Sequence, residues 1–200
     1  MSRRYAVVAP TVDQKQVIHS IEDAFDAIER SMLFVYSVSE ESRNVRSHTW
    51  RRQGGEPVLV RLVEDHLIPA TYVAVEAVAD TDLDRVWNTL APRLPTVPLG
   101  DLQASADRSM ERDPSALQRL ALGAAEIADP RTVELLNRGL FNPSQKVRTE
   151  AAMAAGITQW PEFAEALRWA LKTETDPEAR RVMEAALAAS ERKQDEGHHS

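Results

Sequence analysis

The chain has 200 residues, enough for one large domain or two small ones, and its 43% hydrophobic content is sufficient for a normal core. A net charge of −7 lacks the basic field that drives binding to a phosphate backbone, and the absence of cysteine excludes disulfides, thiolate metal sites and a cysteine nucleophile. The first ten residues have too few apolar side chains for a signal peptide or a membrane span. We therefore expect a folded cytoplasmic protein, and the excess of arginine over lysine, twenty to four, is typical of a GC-rich bacterial genome.

Residues 1–98 have the pattern of an α+β domain. Tyr5–Ala9 predicts a short strand that ends at Pro10, and apolar residues from Thr11 onward recur every three or four positions, as in a helix. A second helix is predicted over Thr81–Leu94. The predicted order is β-α-β-β-β-β-α, with two helices on one face of a mainly antiparallel sheet. The four strands between the two helices are rich in β-branched and aromatic residues. They are predicted over Leu33–Ser39, Val45–Arg52, Pro57–Glu64 and Ala70–Val78.

The second half of the chain has no strand signal. Pro95–Gly100 marks a boundary, and residues 99–112 are interpreted as a linker or a connecting helix. Helices are then predicted over residues 113–190, followed by a charged, disordered tail over 191–200. Five prolines lie where helices can begin, because the first turn has amides without intrahelical partners; they are Pro114, Pro130, Pro143, Pro161 and Pro177.

Segments of this half repeat. A shift of 34 residues aligns Asn142-Pro143 with Asp176-Pro177 and Glu150–Ala152 with Glu184–Ala186. The alternation of alanine-rich and bulkier helices over residues 113–190 resembles HEAT-like repeats of the phycobilisome-lyase type. The resemblance implies about two and a half stacked helical units, with the second helix of each pair offering its outer face to a partner. Nothing in the sequence suggests a tetrapyrrole pocket, and we predict no cofactor.

Two predicted helices of the array have apolar stripes opposite polar faces. Trp169 lies about 120° from the centre of its stripe, so it either anchors a partner or packs against the next helix of the array. The stripes are formed by Val133, Leu136 and Leu140 and by Phe163, Leu167, Ala170 and Leu171. The candidate protein-binding residues on the polar faces are Arg131, Glu134, Arg138, Glu165, Arg168, Trp169 and Lys172.

A second candidate site is the arginine-rich strand around Trp50. By the period-two rule its alternate side chains share one face, where they would contact an anion, a nucleic-acid strand or an acidic partner. The other interpretation is an edge strand whose charges discourage unwanted pairing. The candidate contact residues are Arg43, Arg46, His48, Trp50 and Arg52.

No catalytic or metal-binding motif is recognisable. Glu64, Asp65 and His66 combine acids with a histidine, but adjacent polar residues at the end of a strand are commoner as a loop. The other histidines are scattered, and His198 and His199 fall in the charged tail. We predict no catalytic or metal site.

The leading hypothesis is a non-enzymatic protein-interaction module that acts as an adaptor, regulatory subunit or accessory protein. The alternatives are nucleic-acid binding through the Arg43–Arg52 strand and an enzyme with a cleft at the domain junction. Homo-oligomers are also compatible with the sequence, because a strand edge and an array end can pair with copies of themselves.

Overall fold

The computed structural model describes residues 2–28, 33–42, 44–124 and 128–197. The chain divides into two compact units, Met1–Val97 and Pro98–Ser200. The first is an α+β unit, and the second is an array of helices within its described residues. The fold class predicted from the sequence is therefore confirmed.

The α+β unit is built on a five-stranded antiparallel sheet in the order β1-β5-β4-β3-β2. Strands β2 to β5 follow one another as the predicted meander, and β1 lies on the outer side of β5. The elements in chain order are β1 (Ser2–Val7), α1 (Gln14–Ala27), β2 (Leu33–Ser42), β3 (Val45–Gln53), β4 (Val58–Asp65), β5 (Ala70–Ala77) and α2 (Asp80–Leu90).

Both helices pack on one face of this sheet. The buried residues of α1 and of α2 are spaced by three or four positions, which brings them to one side of each helix. Burying an aliphatic side chain of this kind stabilises the fold by about 1.5–3 kcal/mol. The shared core contains Val17, Ile21 and Ala24 of α1, Leu83, Val86 and Leu90 of α2, and Trp50, Val58, Val60, Leu62, Val73 and Val75 of the sheet.

Two element boundaries of this unit differ from the predictions. Strand β1 begins at Ser2 rather than Tyr5, because the backbone from Ser2 onward is already paired with β5. Helix α2 ends at Leu90, and a short 3-10 turn follows at Ala91–Arg93. Pro92 explains this end, since proline lacks an amide hydrogen and its ring clashes with the carbonyl of the preceding helical turn.

The helical unit confirms the five predicted helix starts. Two of these helices begin at their proline, and the other three begin two residues after it. Asp129 and Asp176 precede the prolines of α5 and α8 and accept hydrogen bonds from main-chain amides of the first turn. The helices are α3 (Leu99–Ser109), α4 (Ala116–Leu122), α5 (Pro130–Leu140), α6 (Gln145–Thr158), α7 (Phe163–Thr173) and α8 (Pro177–Gly197).

These helices form two layers. Helices α3, α5 and α7 lie side by side in one layer and α4, α6 and α8 in the other, and α3–α4, α4–α5, α5–α6 and α7–α8 pack across the layers. Small residues allow this close stacking. A Cβ atom at Gly139 of α5 would lie 2.8 Å from the Cβ of Ala151 on α6 and 2.9 Å from Cδ1 of Leu117 on α4. The backbone of α5 therefore approaches both neighbours more closely than any larger residue permits.

The segment interpreted as a linker or a connecting helix forms helix α3, which buries Leu102 and Ala106 against the array. The C-terminal end of the array differs from its prediction. Helix α8 continues to Gly197, beyond the predicted start of a disordered tail at Glu191. One side of α8 packs on α6 and α7, and its outer side carries exposed charges such as Arg181 and Glu184. None of the described helices has both the length and the apolar character required to cross a bilayer.

Candidate functional site

Trp169 is the most prominent apolar side chain on the surface of the array. It lies on α7, away from the buried Phe163 and Leu167, and 57% of its surface is exposed. The Nζ atom of Lys172 lies 4.3 Å from the centre of the indole ring. The interpretation that Trp169 packs against the next helix is therefore wrong. The array displays this ring to solvent, with a cation at its face.

The charged residues of α5 form an ordered network with α3. Asp107 of α3 accepts hydrogen bonds from the guanidinium groups of Arg131 and Arg138, each at 2.5 Å, and Arg131 also reaches Glu134 at 2.8 Å. The hydrogen bond from Arg138 is the main cause that holds the pKa of Asp107 below its usual range, and Arg131 adds to it. Because these groups face water, their pairing adds little to stability, but it limits the positions that the side chains adopt.

A second exposed aromatic residue, Phe141, caps the C-terminal end of α5. It borders a depression of about 280 Å³ between the ends of α5 and α7, together with Leu140, Ala170 and Thr173. Thr173 lies one turn after Trp169, only about 40° further around α7. The two aromatic side chains are therefore on adjoining parts of one surface. We define the α5–α7 face as Arg131, Glu134, Arg138, Phe141, Glu165, Trp169 and Lys172.

The floor of the depression is an ion pair that joins two interhelical loops. Arg148 donates two hydrogen bonds to Glu174, at 2.6 and 3.0 Å, and two more to the carbonyls of Asn142 and Pro143. The Glu174 side chain is 1% exposed and also accepts from the amides of Thr175 and Asp176. The hydrogen bonds from Arg148, and then those amides, lower the pKa of Glu174 to about 2. All of these donors and acceptors are occupied within the array, so the pair is a structural clamp.

Residues 108–188 match the family model for HEAT repeats. The match spans helices α4 to α7 and most of α8, whose two-layer stacking has the arrangement expected of such repeats. This segment is a HEAT-like repeat array. The HEAT-like character predicted for this segment is thus confirmed, and the match is to HEAT repeats in general. No curated protein and no solved structure matches the chain. HEAT repeats generally mediate protein–protein interactions.

The HEAT-like array positions the predicted surface residues much as their spacing implies. Glu134, Arg138, Glu165, Arg168 and Trp169 are exposed. Arg168 points toward α8, where it pairs with Glu191 at 2.6 Å. Within the predicted buried stripes, Val133 and Leu171 are only half-buried. Their places at the core are taken by Thr132, Leu135 and Ala164.

Three contributors to the site were missed from the sequence. Phe141 directly follows the predicted stripe residue Leu140, and its position 100° further around the helix was a signal that it points elsewhere. Asp107 lies in the segment interpreted as a linker. Glu174 lies in a loop, and no local pattern marks its partnership with Arg148, 26 residues away.

The arginine-rich strand around Trp50 has a different environment from the one predicted. The register places Arg46, His48, Trp50 and Arg52 on one face of β3, but this is the face beneath α1 and α2. Trp50 is 3% exposed, and Arg52 pairs with Asp82 of α2 at 2.5 Å. The interpretation of Trp50 as a surface contact is therefore corrected. Arg43 lies outside the described residues.

The edge-strand interpretation of this segment is also wrong, since β3 is paired with both β2 and β4. Its exposed cations are Arg46 and Arg51, on opposite faces of the sheet. Nucleic-acid binding through the strand stays a prediction, to be tested by its steep dependence on salt.

His48 is a buried polar group in the core of the α+β unit. Its Nδ1 atom lies 2.6 Å from the Tyr36 hydroxyl, and its Nε2 atom lies 2.8 Å from the side-chain amide nitrogen, Nε2, of Gln14. Burial, followed by the nearby charge of Arg46, lowers the pKa of His48. Both ring nitrogens thus have partners within the fold, and His48 does not contact solvent as the second candidate site requires.

The Glu64–His66 segment forms the end of a hairpin. Asp65 accepts hydrogen bonds from the amides of Leu67 and Ile68 at 2.8 and 3.2 Å, which fixes the turn, and His66 is exposed. Among the residues that the structure describes, no group of three or more acidic or histidine side chains is arranged to hold a metal ion.

Proposed function

We propose that the protein is a non-enzymatic binding module, an adaptor, regulatory subunit or accessory protein, and that a partner protein docks on the α5–α7 face. The observation that carries this proposal is the exposure of Trp169, 57%, on a helix whose Phe163 and Leu167 are buried. Tryptophan is usually well buried and is enriched among residues that dominate binding energy at interfaces.

The surroundings of Trp169 support a role in binding. Phe141 adds a second exposed aromatic group, which borders the depression between the ends of α5 and α7. Lys172 and Glu165 give the rim charges of both signs, which favours one orientation of a bound partner. The network around Asp107 holds Arg131 and Arg138 in place, so less side-chain freedom is lost when a partner binds.

The experiment begins with affinity capture of the tagged full-length protein from an extract of its own cells. A stoichiometric protein recovered with it is then purified and titrated against variants. Trp169→Ala is expected to weaken binding by about 30-fold or more, the effect of removing an interface anchor of about 2 kcal/mol. Arg168→Ala, which alters the same helix, is expected to have a smaller effect in the same direction.

Met153→Ala is the matched control, because Met153 is an exposed apolar residue on α6 in the opposite layer of the array. It should leave the affinity unchanged, and circular dichroism should show that all variants are folded. Equal affinities for Trp169→Ala and the natural protein would remove the α5–α7 face as the docking surface. Recovery of nucleic acid in place of a protein would favour the arginine-strand alternative.

A further inference from the structure

Helix α7 carries three exposed side chains on the side opposite its buried face. Successive residues of a helix advance by about 100°, so Glu165, Trp169 and Lys172 lie within about 60° of one another. All three are exposed, whereas Phe163 and Leu167 of the same helix are buried. We call these three residues the α7 crest. It consists of one large aromatic ring with an acidic residue a turn before it and a basic residue a turn after it.

The two charges of the α7 crest have no counter-charge in the described part of the chain. Neither Glu165 nor Lys172 forms an ion pair there, whereas Arg168 of the same helix pairs with Glu191 at 2.6 Å. The Lys172 ammonium lies over the Trp169 ring instead, 4.3 Å from its centre. The crest is therefore complementary to a surface that has an aromatic ring between a base and an acid in the reverse order.

We propose that this complementary surface is the α7 crest of a second copy of the chain, and that two α7 helices dock crest to crest in antiparallel orientation across a two-fold axis. The inference rests on the proposed function, because it assigns a defined occupant to part of the α5–α7 face. A two-fold interface is self-complementary, so residue i contacts residue j and residue j contacts residue i. The crest meets this requirement because its acid and its base flank the tryptophan.

The spacing of the crest residues fixes the register of the pair. The midpoint between Glu165 and Lys172 lies about half a residue from Trp169, which is less than about 1 Å along the helix axis. With the two-fold axis at this point, Glu165 of each copy lies opposite Lys172 of the other, and the two Trp169 rings meet at the centre. Like charges of the two copies are then about 10 Å apart along the axis, and Glu162 is about 20 Å from its own copy. Parallel packing would place like charges together, which disfavours it.

The resulting interface has an aromatic centre and a charged rim, the usual arrangement at protein interfaces. Helix α7 has 11 residues, so the contact is smaller than an interface of standard size. We therefore expect a reversible dimer with a dissociation constant of about 10–100 µM. Because the dimer covers Trp169, self-association and partner docking exclude each other. A partner that binds more tightly displaces the second copy.

The first test is the mass of the full chain in solution, measured by sedimentation velocity from about 1 to about 500 µM, a range that spans the expected constant. The natural protein should shift from monomer toward dimer. Trp169→Ala should weaken dimerisation by about 10-fold or more, since it removes the centre of the interface. Met153→Ala, at an exposed apolar residue of α6, should leave dimerisation unchanged. A monomer throughout the range, or equal behaviour of the two variants, overturns the proposal.

The second test reverses the charges of the crest. Lys172→Glu gives each crest two acids and Glu165→Lys gives it two bases, so each single variant should dimerise about 10-fold or more weakly. The variant with both substitutions restores opposite charges across the axis and should dimerise within about 3-fold of the natural protein. An equimolar mixture of the two single variants should form a heterodimer, because each base of one then faces an acid of the other.

Lys146→Glu is the control for the change in net charge, because Lys146 is an exposed lysine of α6, in the other layer of the array. It should leave dimerisation unchanged, and circular dichroism should show that all variants are folded. Absence of rescue in the doubly substituted chain, or of a heterodimer in the mixture, would overturn the antiparallel pairing. An equal loss for Lys146→Glu and Lys172→Glu would do the same, since net charge would then explain both.

Failure of this inference is distinguishable from failure of the proposed function. A chain that stays monomeric but captures a partner through Trp169 retains the docking face and loses the dimer. A chain that dimerises through the α7 crest but captures no other protein retains the dimer and loses the adaptor role. Where both occur, adding the purified partner should dissociate the dimer. A dimer that binds the partner through Trp169 without dissociating would overturn crest-to-crest docking.

Discussion

The sheet face beneath α1 and α2 and the α5–α7 face each contain a tryptophan next to an arginine, yet the two tryptophans have opposite environments. Trp50 is 3% exposed and belongs to the core, whereas Trp169 is 57% exposed. In both places an arginine is adjacent to the tryptophan in the sequence. What differs is whether another element packs on that side. An arginine beside an aromatic residue therefore indicates an interface only after the covering elements are known.

Two carboxylates show the same contrast within the helical array. Glu174 and Asp107 each bind arginine, and the pKa of each is lowered. Glu174 is buried between loops and accepts main-chain hydrogen bonds as well, whereas Asp107 is on the open side of α3. Glu174 therefore fixes helices to one another, whereas Asp107 organises a surface.

The largest expected difference in stability is between variants of the two tryptophans. Trp50→Ala should lower the free energy of unfolding of the α+β unit by about 3–5 kcal/mol, because it leaves a cavity under α1 and α2. Trp169→Ala should change the stability of the array by no more than about 0.5 kcal/mol, since water already covers the ring. Urea unfolding followed by far-UV circular dichroism measures both. Similar losses for the two variants would contradict the assignment of one to the core and the other to an open face.

The next difference concerns the carboxylates. Glu174→Gln should destabilise the array by about 2–3 kcal/mol, because it leaves Arg148 largely buried without its counter-charge. Asp107→Asn, at an exposed network, is expected to leave stability nearly unchanged. Thermal unfolding at neutral pH distinguishes them. A larger effect from Asp107→Asn would mean that the surface network, and not the clamp, holds the repeats together.

The acid dependence of stability follows from the same clamp. The pKa of Glu174 is about 2 when folded, against an ordinary value of 4.5. A carboxyl whose pKa is lowered on folding binds more protons in the unfolded chain. Its stabilisation, at most about 3 kcal/mol, is therefore complete above about pH 4.5 and is lost as the pH falls toward 2. Glu174→Gln should remove this part of the acid dependence, and an unaltered pH profile would contradict the clamp.

A further difference in stability concerns two glycines in neighbouring helices. Gly139→Ala should destabilise the array by about 1–3 kcal/mol, since the added methyl group would overlap Ala151 and Leu117. Gly156→Ala is the control, because its nearest neighbour would be 3.7 Å away, and helix propensity should make it neutral or stabilising by up to about 1 kcal/mol. Chemical denaturation of both variants checks this. A stabilised Gly139→Ala would show that the helices can separate at that point without loss.

Much of the architecture could be predicted because its signals are local. Proline after Asp or Asn marked the starts of α5 and α8, and apolar spacing located α1 and α2. The outward position of Arg138 followed from the same helical period, which left open whether Trp169 anchors a partner or packs against the next helix. The rest of the site depends on pairs that are distant in the chain. Asp107 and Arg138 are 31 residues apart, and Arg148 and Glu174 are 26 apart, so no window of the sequence connects them.

The sequence by itself determined the order of strands and helices, the repeat, and the helical period of the apolar stripes, because propensity, capping and periodicity act over a few residues. Only the tertiary structure decided that Trp50 and His48 are covered, that β3 is an inner strand and that β2 is left at the edge. It also brought Phe141 onto the same surface as Trp169. These outcomes depend on which faces pack together, and that is set by the burial of apolar surface contributed by the whole unit.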